Sequence, residues 1–383
     1  MLFSVVIIDL IGFGIMMPVL PFYALEFGAS ATTLGLLFSV FAAAQFLCAP
    51  VWGRLSDRIG RRRVMLMTIA GSALALLGLG FARSLLWLFV ARAAGGAFAA
   101  NIGVASAYIT DVTPEQDRTR WMGMLGACFG VGFVLGPAIG GALAPFGYAV
   151  PMFAAAGLAG ANWIHAAFSL PEPLARARGL AGEVRPAGAL RVPLVRRLCL
   201  ANFVFSLAVT QLETVFAIFM GNRFGYDARE VAVLLIAMAV VMGAIQAGGM
   251  RTLAARWGER SLAIVGSLLL AAGFLALPQA HSLALLLVPL VLCAVGRAIL
   301  QPALMSMVSL AAQASARGSV MGTFQASASL ARVLGPIAAG WLYDRQLGAP
   351  FFLAGALLVA VAAQVRGLPS RDPALVPPPI VEL

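Results

Sequence analysis

The sequence predicts an all-α integral membrane protein of about twelve transmembrane helices, arranged as two halves of six. Three observations carry that prediction. The 383 residues are 61% hydrophobic and 11% charged, with a mean hydropathy of +0.96, whereas soluble domains carry roughly 25% charged residues. Apolar runs of spanning length alternate with polar turns, and every second turn is rich in arginine. Pieces of the first half recur in the second, in the same order and at offsets near half the chain.

Cutting at charges and at Pro/Gly clusters places the runs near 2–22, 32–52, 64–82, 85–110, 121–144 and 149–169, then 197–221, 230–250, 261–279, 283–310, 318–343 and 349–366. The first run follows Met1 with no basic lead and no small-residue cleavage site, so it is expected to be a span and not a signal peptide. The stretch Gly53–Met65, GRLSDRIGRRRVM, holds five Arg and one Asp between two apolar runs and reads as a cytoplasmic loop. Further arginines fall at Arg118 and Arg120, from Arg176 to Arg197, at Arg251, Arg256 and Arg260, and at Arg317. The intervening turns are short and poor in arginine, which puts both termini on the cytoplasmic side. Residues 170–196 turn to Pro, Gly, Ala and Arg and read as a linker between a first bundle at 1–169 and a second at 197–366. Residues 367–383, with Pro377, Pro378 and Pro379, read as an extended tail.

The repeat is visible in three places. GRLSDRIGRR at 53 aligns with RTLAARWGER at 251, LGPAIGGAL at 135 with LGPIAAGWL at 334, and ARAAGGA at 91 with GRAILQP at 296. The second copy has Ala255 where the first has Asp57.

Composition excludes several functions. The net charge of +11 comes from 26 basic residues, all of them Arg, against 15 acids. Their confinement to alternate turns is the signature of membrane orientation and argues against nucleic-acid binding. Cys48, Cys128, Cys199 and Cys293 stand singly in apolar runs, and His165 and His281 have no clustered partners, so neither a disulfide framework nor a metal site is expected. No GxxxxGK[ST] phosphate loop occurs, which argues against an ATPase.

Ionisable groups inside spans cost about 2.5–3.5 kcal/mol each on insertion scales and therefore mark function. Asp9, Arg92, Glu213, Arg297, Arg332 and His165 qualify. Asp9 is followed by Gly12, Gly14 and Pro18, which loosen its helix, and a carboxyl there is a proton-coupling candidate or a helix-packing group. Arg92 keeps its charge and needs a carboxylate, carbonyls or water, either as part of a proton path or as a fixed cation joining helices. Glu213, with Asn202, Thr210 and Gln211 nearby, is expected to present a polar face to a cavity and bind a proton or a cation; the alternative is a pair with Arg297 or Arg332. Asn101 and Gln301 complete the cavity candidates. Asp57, among Arg54, Arg58 and Arg61, can tie helices together at the cytoplasmic end and release them on opening. In the fifth run, Gly132, Gly136 and Gly140 recur every four residues, Gly126 and Gly130 repeat the spacing, and Pro137 adds a kink, which describes a close and bendable helix seam.

These motifs resemble the major facilitator superfamily, and within it the twelve-helix drug/proton antiporters. GRLSDRIGRRRVM is similar to the family's motif between helices two and three, DLIGFGIMMPVLP at 9 to a first-helix motif, ARAAGGAFAAN at 91 to the fourth-helix motif and GACFGVGFVLGPAIGG at 126 to the fifth-helix antiporter motif. The resemblance implies two six-helix bundles around a cavity that opens to alternate sides. It assigns gating to Gly53, Arg54, Asp57, Arg58, Gly60 and Arg61, proton relay to Arg92, and the antiporter seam to Gly126, Gly130, Gly136, Pro137, Gly140 and Gly141. NRFGY at 222 and ARWGER at 255 are similar to the tetracycline-efflux branch, although the third and ninth runs lack the carboxylates that members handling chelated drug usually carry. The implied activity is proton-driven export of an amphiphilic, tetracycline-like drug from the inner membrane by a monomer without cofactors. A multidrug or metabolite exporter and a nutrient importer of the same family stay open, as, more remotely, does an intramembrane enzyme.

Overall fold

Among the residues described by the computed structural model, 1–114, 117–173, 190–312 and 317–368, every regular element is a helix. A chain surrounded by hydrocarbon has to satisfy its backbone groups internally, and helices do so within each segment. The first half comprises α1 (Leu2–Glu26), α2 (Ala31–Ile59), α3 (Arg61–Gly80), α4 (Leu85–Phe98), α5 (Asn101–Val112), α6 (Arg118–Leu143) and α7 (Ala149–Ser169). The second comprises α8 (Pro193–Phe224), α9 (Ala228–Ala244), α10 (Met250–Ala276), α11 (Leu283–Ala311), α12 (Arg317–Arg345) and α13 (Ala349–Arg366). Because α4 and α5 are one rod broken at Ala99 and Ala100, the count is 12 rods.

By length and composition 10 of these rods can cross a membrane unaided. The exceptions are α7 and α12, which carry Asn162 and His165, and Gln325, Ser327 and Arg332, respectively. Several of these polar groups bond neighbouring helices. The Asn162 amide donates to the Val5 carbonyl at 2.9 Å, His165 Nε2 lies 2.9 Å from Ser4 Oγ, and Ser327 Oγ accepts from Asn202 at 3.1 Å.

The expected loop at Gly53–Met65 is largely helical. Helix α2 continues through Ile59 and α3 begins at Arg61, leaving Gly60 as the turn. The physical reason is length: the 29 residues of α2 reach about 43 Å, well beyond a hydrocarbon core of about 30 Å, so the charged turns sit at the water-facing ends of two long helices. Gly60 has φ +105° and Gly258, its counterpart in the repeat, φ +72°, a region other residues avoid. Two residues after each glycine an arginine does the same task. Arg62 donates to the Ala167 carbonyl at the end of α7, and Arg260 to the Arg366 carbonyl at the end of α13. Each closes its half by satisfying orphan carbonyls of the last helix. The expected linker core at 174–189 and the tail beyond 368 lie outside the described residues.

The halves meet at the end away from these arginines. A Cβ added at Gly35 would strike the Pro336 carbonyl, at Gly340 the Ala31 carbonyl, at Gly141 the Ala232 side chain and at Gly221 the Phe22 ring. At the same end, Asp344 of α12 caps α2: it accepts from the amides of Ala31 at 3.0 Å and Thr32 at 2.9 Å and from the Thr32 hydroxyl at 2.6 Å. A carboxylate on a helix N-terminus satisfies free amides and opposes the positive end of the helix dipole.

Candidate functional site

Each half sets an acid on its first helix and an arginine on its fourth. In the first half these are Asp9 of α1 and Arg92 of α4; in the second, Glu213 of α8 and Arg297 of α11.

Asp9 is placed by a close seam between α1 and α6. Gly132 lies against Leu10, Gly136 against Gly14 and Gly140 against the Ile15 carbonyl, so any side chain there would force the helices apart. Gly126 and Gly130 do not extend this seam as the spacing suggested. They have nothing within 4 Å, because the step from Gly130 to Gly132 turns them onto another face. Gly141 faces α9 of the other half, and Gly53, expected in the gate, also has nothing within 4 Å.

The carboxylate of Asp9 accepts one hydrogen bond, from Asn101 Nδ2 at 2.8 Å. Asn101 reaches it because it opens α5, just past the break in the fourth rod. Carbonyls near the break are caught by α2: Gln45 Nε2 donates to Ala99 at 2.8 Å and Trp52 Nε1 to Ala97 at 2.6 Å. Side chains that resatisfy interrupted backbone are what make a broken membrane helix tolerable. Two turns before the break, Arg92 is buried, 2% exposed. Of the expected partners, carboxylate, carbonyls or water, neither of the protein groups contacts it: its guanidinium lies 4.1 Å from the Phe41 ring centroid and 5.6 Å from that of Phe38, with Nη1 3.7 Å from Met16 Sδ. Its Nε has no protein partner. Asp9, Asn101 and Arg92 line one cavity of about 80 Å³ together with Phe13, Met16 and Phe41.

In the second half the pair is closed. Glu213 Oε1 lies 2.8 Å from Arg297 Nη2, the side chains 33% and 28% exposed. Gln301 is exposed one helical turn beyond Arg297. Asn202 and Gln211, expected beside Glu213 in a cavity, are instead buried against α12. Asn202 donates to the Phe324 carbonyl at 2.8 Å and Gln211 to that of Gly335 at 3.2 Å, with Thr210 packed on Gly335. On a helix, position 211 falls on the face opposite 213, and position 202, though close to 213 in phase, lies about 16 Å away along the axis, which the linear reading overlooked.

At the Arg-rich end, Arg61 joins α2 to α5. It lies 2.6 Å from Asp57 and 2.8 Å from Asp111. Among the described residues Arg54 and Arg58 make no ion pair. Asp111 and Asp344 escaped the sequence reading; both are acids at helix ends, where capping and ion pairing are the ordinary signals to look for.

Two acid–arginine sets placed inside apolar helices of two matching halves suit a transporter. The sequence profile of the Major Facilitator Superfamily matches residues 2–253 and 250–380. The chain belongs to the Major Facilitator Superfamily. It is a multi-pass membrane transporter and not an enzyme. Among superfamily relatives, it is 32% identical to the class C tetracycline resistance protein of Escherichia coli over 96% of each chain. It is 28% identical to Multidrug resistance protein 2 of Bacillus subtilis over 94% of this chain and 92% of that one. The crystal structure of the human organic anion transporter MFSD10 superposes with a TM-score of 0.72 at 26% identity, over 95% of this chain and 97% of that one.

Proposed function

We propose that this superfamily member exports an amphiphilic drug of the tetracycline type in exchange for protons. The observation that carries the reading is Asp9: an intramembrane carboxyl in a cavity, held by one neutral amide and by no cation. Such a group can pick up a proton from one side and give it up when the cavity turns to the other or when a cationic group of the drug arrives. Names of relatives support drug as cargo, with tetracycline resistance proteins and multidrug resistance proteins both among them. Glu213 and Arg297, closed on each other but partly exposed, act as a movable pair that drug can open. The halves at 1–169 and 197–366, joined by the linker at 170–196, rock against each other, making and parting the contacts at Gly35, Gly141 and Gly340. The Arg-rich turns face the cytoplasm of a bacterial inner membrane, both termini included. In that orientation the described state is closed to the outside. Opening outward breaks the Asp344 cap, while Arg61, Asp57 and Asp111, joined within the first half, hold the turn at Gly60 together as the cytoplasmic side closes. The protein works as a monomer in the bilayer.

The test is proton release from acid-loaded inverted vesicles on adding tetracycline with magnesium, with vesicles lacking the protein as control. Discharge of the gradient supports tetracycline antiport. Discharge by other cationic or neutral drugs and not by tetracycline moves the cargo to the multidrug class, and silence to all of them overturns drug export.

A further inference from the structure

The two acid–arginine sets differ in one respect that bears on the cargo's chemistry. Glu213 and Arg297 touch at 2.8 Å. Asp9 and Arg92 face the same cavity of about 80 Å³ and form no ion pair. Both are otherwise engaged: Asp9 by Asn101, and Arg92 by the faces of Phe38 and Phe41 and the sulfur of Met16. None of the groups in contact with Arg92 bears a negative charge. A buried guanidinium carries five donors in a planar fork suited to a pair of oxyanion oxygens, and here its Nε is left without a partner at 2% exposure. Aromatic faces attract a cation, but they accept none of its in-plane hydrogen bonds. A buried cation in this condition is stabilised by whatever anion enters the cavity.

We propose that Arg92 is the receptor for an anionic oxygen of the cargo, a carboxylate or a deprotonated enol, and that the cavity between Arg92 and Asp9 selects zwitterions. The oxyanion lies on the Arg92 fork while the cargo's ammonium group meets Asp9. The volume admits such a polar edge and leaves the apolar body of the cargo outside. This rests on the export reading above for the sign of the exchange: the ammonium group displaces the proton of Asp9, and the oxyanion adds affinity without consuming a second proton.

The experiment is equilibrium binding to the purified full-length protein in detergent, which requires neither a gradient nor coupling. Three probes are used: tetracycline, a zwitterion near neutral pH; benzoate, a carboxylate with no cation, read by its competition with tetracycline; and tetraphenylphosphonium, a permanent cation. Wild type is expected to bind tetracycline and to have it displaced by benzoate. Arg92→Gln is expected to bind tetracycline about 10- to 100-fold more weakly and to lose the benzoate competition. Arg92→Lys, which keeps the charge but not the fork, is expected to fall between the two. Tetraphenylphosphonium binding is expected to hold steady in both variants, which also certifies that they are folded. Wild type whose tetracycline binding benzoate leaves unchanged overturns the proposal, and so does equal weakening of tetracycline and tetraphenylphosphonium by Arg92→Gln. If benzoate competes at Arg92 yet tetracycline discharges no proton gradient, the anion receptor stands and the antiport reading falls.

Discussion

The halves of this transporter carry the same parts in different states of commitment. Asp9 and Arg92 in the first half are held apart across a cavity, while Glu213 and Arg297 in the second are closed on each other. The turn at Gly60 is braced by Arg61 between Asp57 and Asp111, whereas at Gly258 the equivalent of Asp57 is Ala255 and that of Arg61 is Glu259, which accepts from Ser306 at 3.3 Å. Duplication therefore fixes where ionisable groups sit in each bundle, and the side chains around them decide whether they are available. Asn101 and Phe41 keep the first pair open; the second half places no such groups between Glu213 and Arg297. On this account the first half exchanges the proton for the polar edge of the cargo, and the second opens its ion pair as the cargo enters.

The sharpest way to break that division is at the acids. Asp9→Asn is expected to cut drug-driven proton release at least about 100-fold while the protein stays in the membrane, and Glu213→Gln to weaken drug binding yet leave each bound drug exchanged for a proton. Equal loss of coupling in both variants would erase the distinction between halves.

The seams offer a second contrast. A methyl group at Gly136 meets the backbone of Gly14, which cannot move aside, whereas one at Gly335 meets the Thr210 Oγ1, which can turn, and the Thr210 Cβ at 2.9 Å, which must shift slightly. Gly136→Ala is expected to cost about 1–3 kcal/mol of stability, Gly335→Ala less, and Gly126→Ala, with nothing within 4 Å, within about 0.5 kcal/mol of wild type. Thermal unfolding of the purified variants ranks the three.

The closed pair in the second half makes a smaller prediction. Because both side chains are roughly one-third exposed, a double-mutant cycle of Glu213→Gln and Arg297→Gln is expected to show a coupling energy of about 1 kcal/mol or less, read from thermal unfolding. A coupling several times larger would make the pair a fixed strut.

The smallest effect concerns the join between halves. Asp344→Asn keeps the shape of the α2 cap and removes its charge, which is worth about 0.3–1 kcal/mol. The expected result is up to about a fivefold shift toward the outward-open state, measured as faster labelling of Leu34→Cys, which is 1% exposed at the join, by an impermeant maleimide.

Much of the architecture was legible in the sequence because it rests on one-dimensional signals. Apolar runs, alternate arginines and the repeated GRLSDRIGRR and LGP segments need no three-dimensional information, and the glycine that the repeat aligns, Gly60 with Gly258, turns the chain alike in both halves. The site was legible only in its ionisable groups, since a charge inside a span stands out wherever it points. Asn202 was misplaced because eleven residues put it about 16 Å along the helix from Glu213, and Gln211 because facing depends on helical phase, so that a polar cluster in sequence spreads around a helix. Gly126 and Gly130 failed for the same reason, a two-residue step that breaks the four-residue register. The aromatic setting of Arg92 could not be read, because Phe38 and Phe41 come from a helix more than fifty residues earlier and nothing in the chain marks them among 24 phenylalanines.

The central claim, that Asp9 carries the exchanged proton, is tested most directly by protons released per drug moved in inverted vesicles, with Asp9→Asn and Glu213→Gln measured side by side. The account predicts that Glu213→Gln keeps the wild-type ratio at a lower rate, while Asp9→Asn moves drug only down its own gradient and releases no protons. Proton release by Asp9→Asn at the wild-type ratio would contradict it.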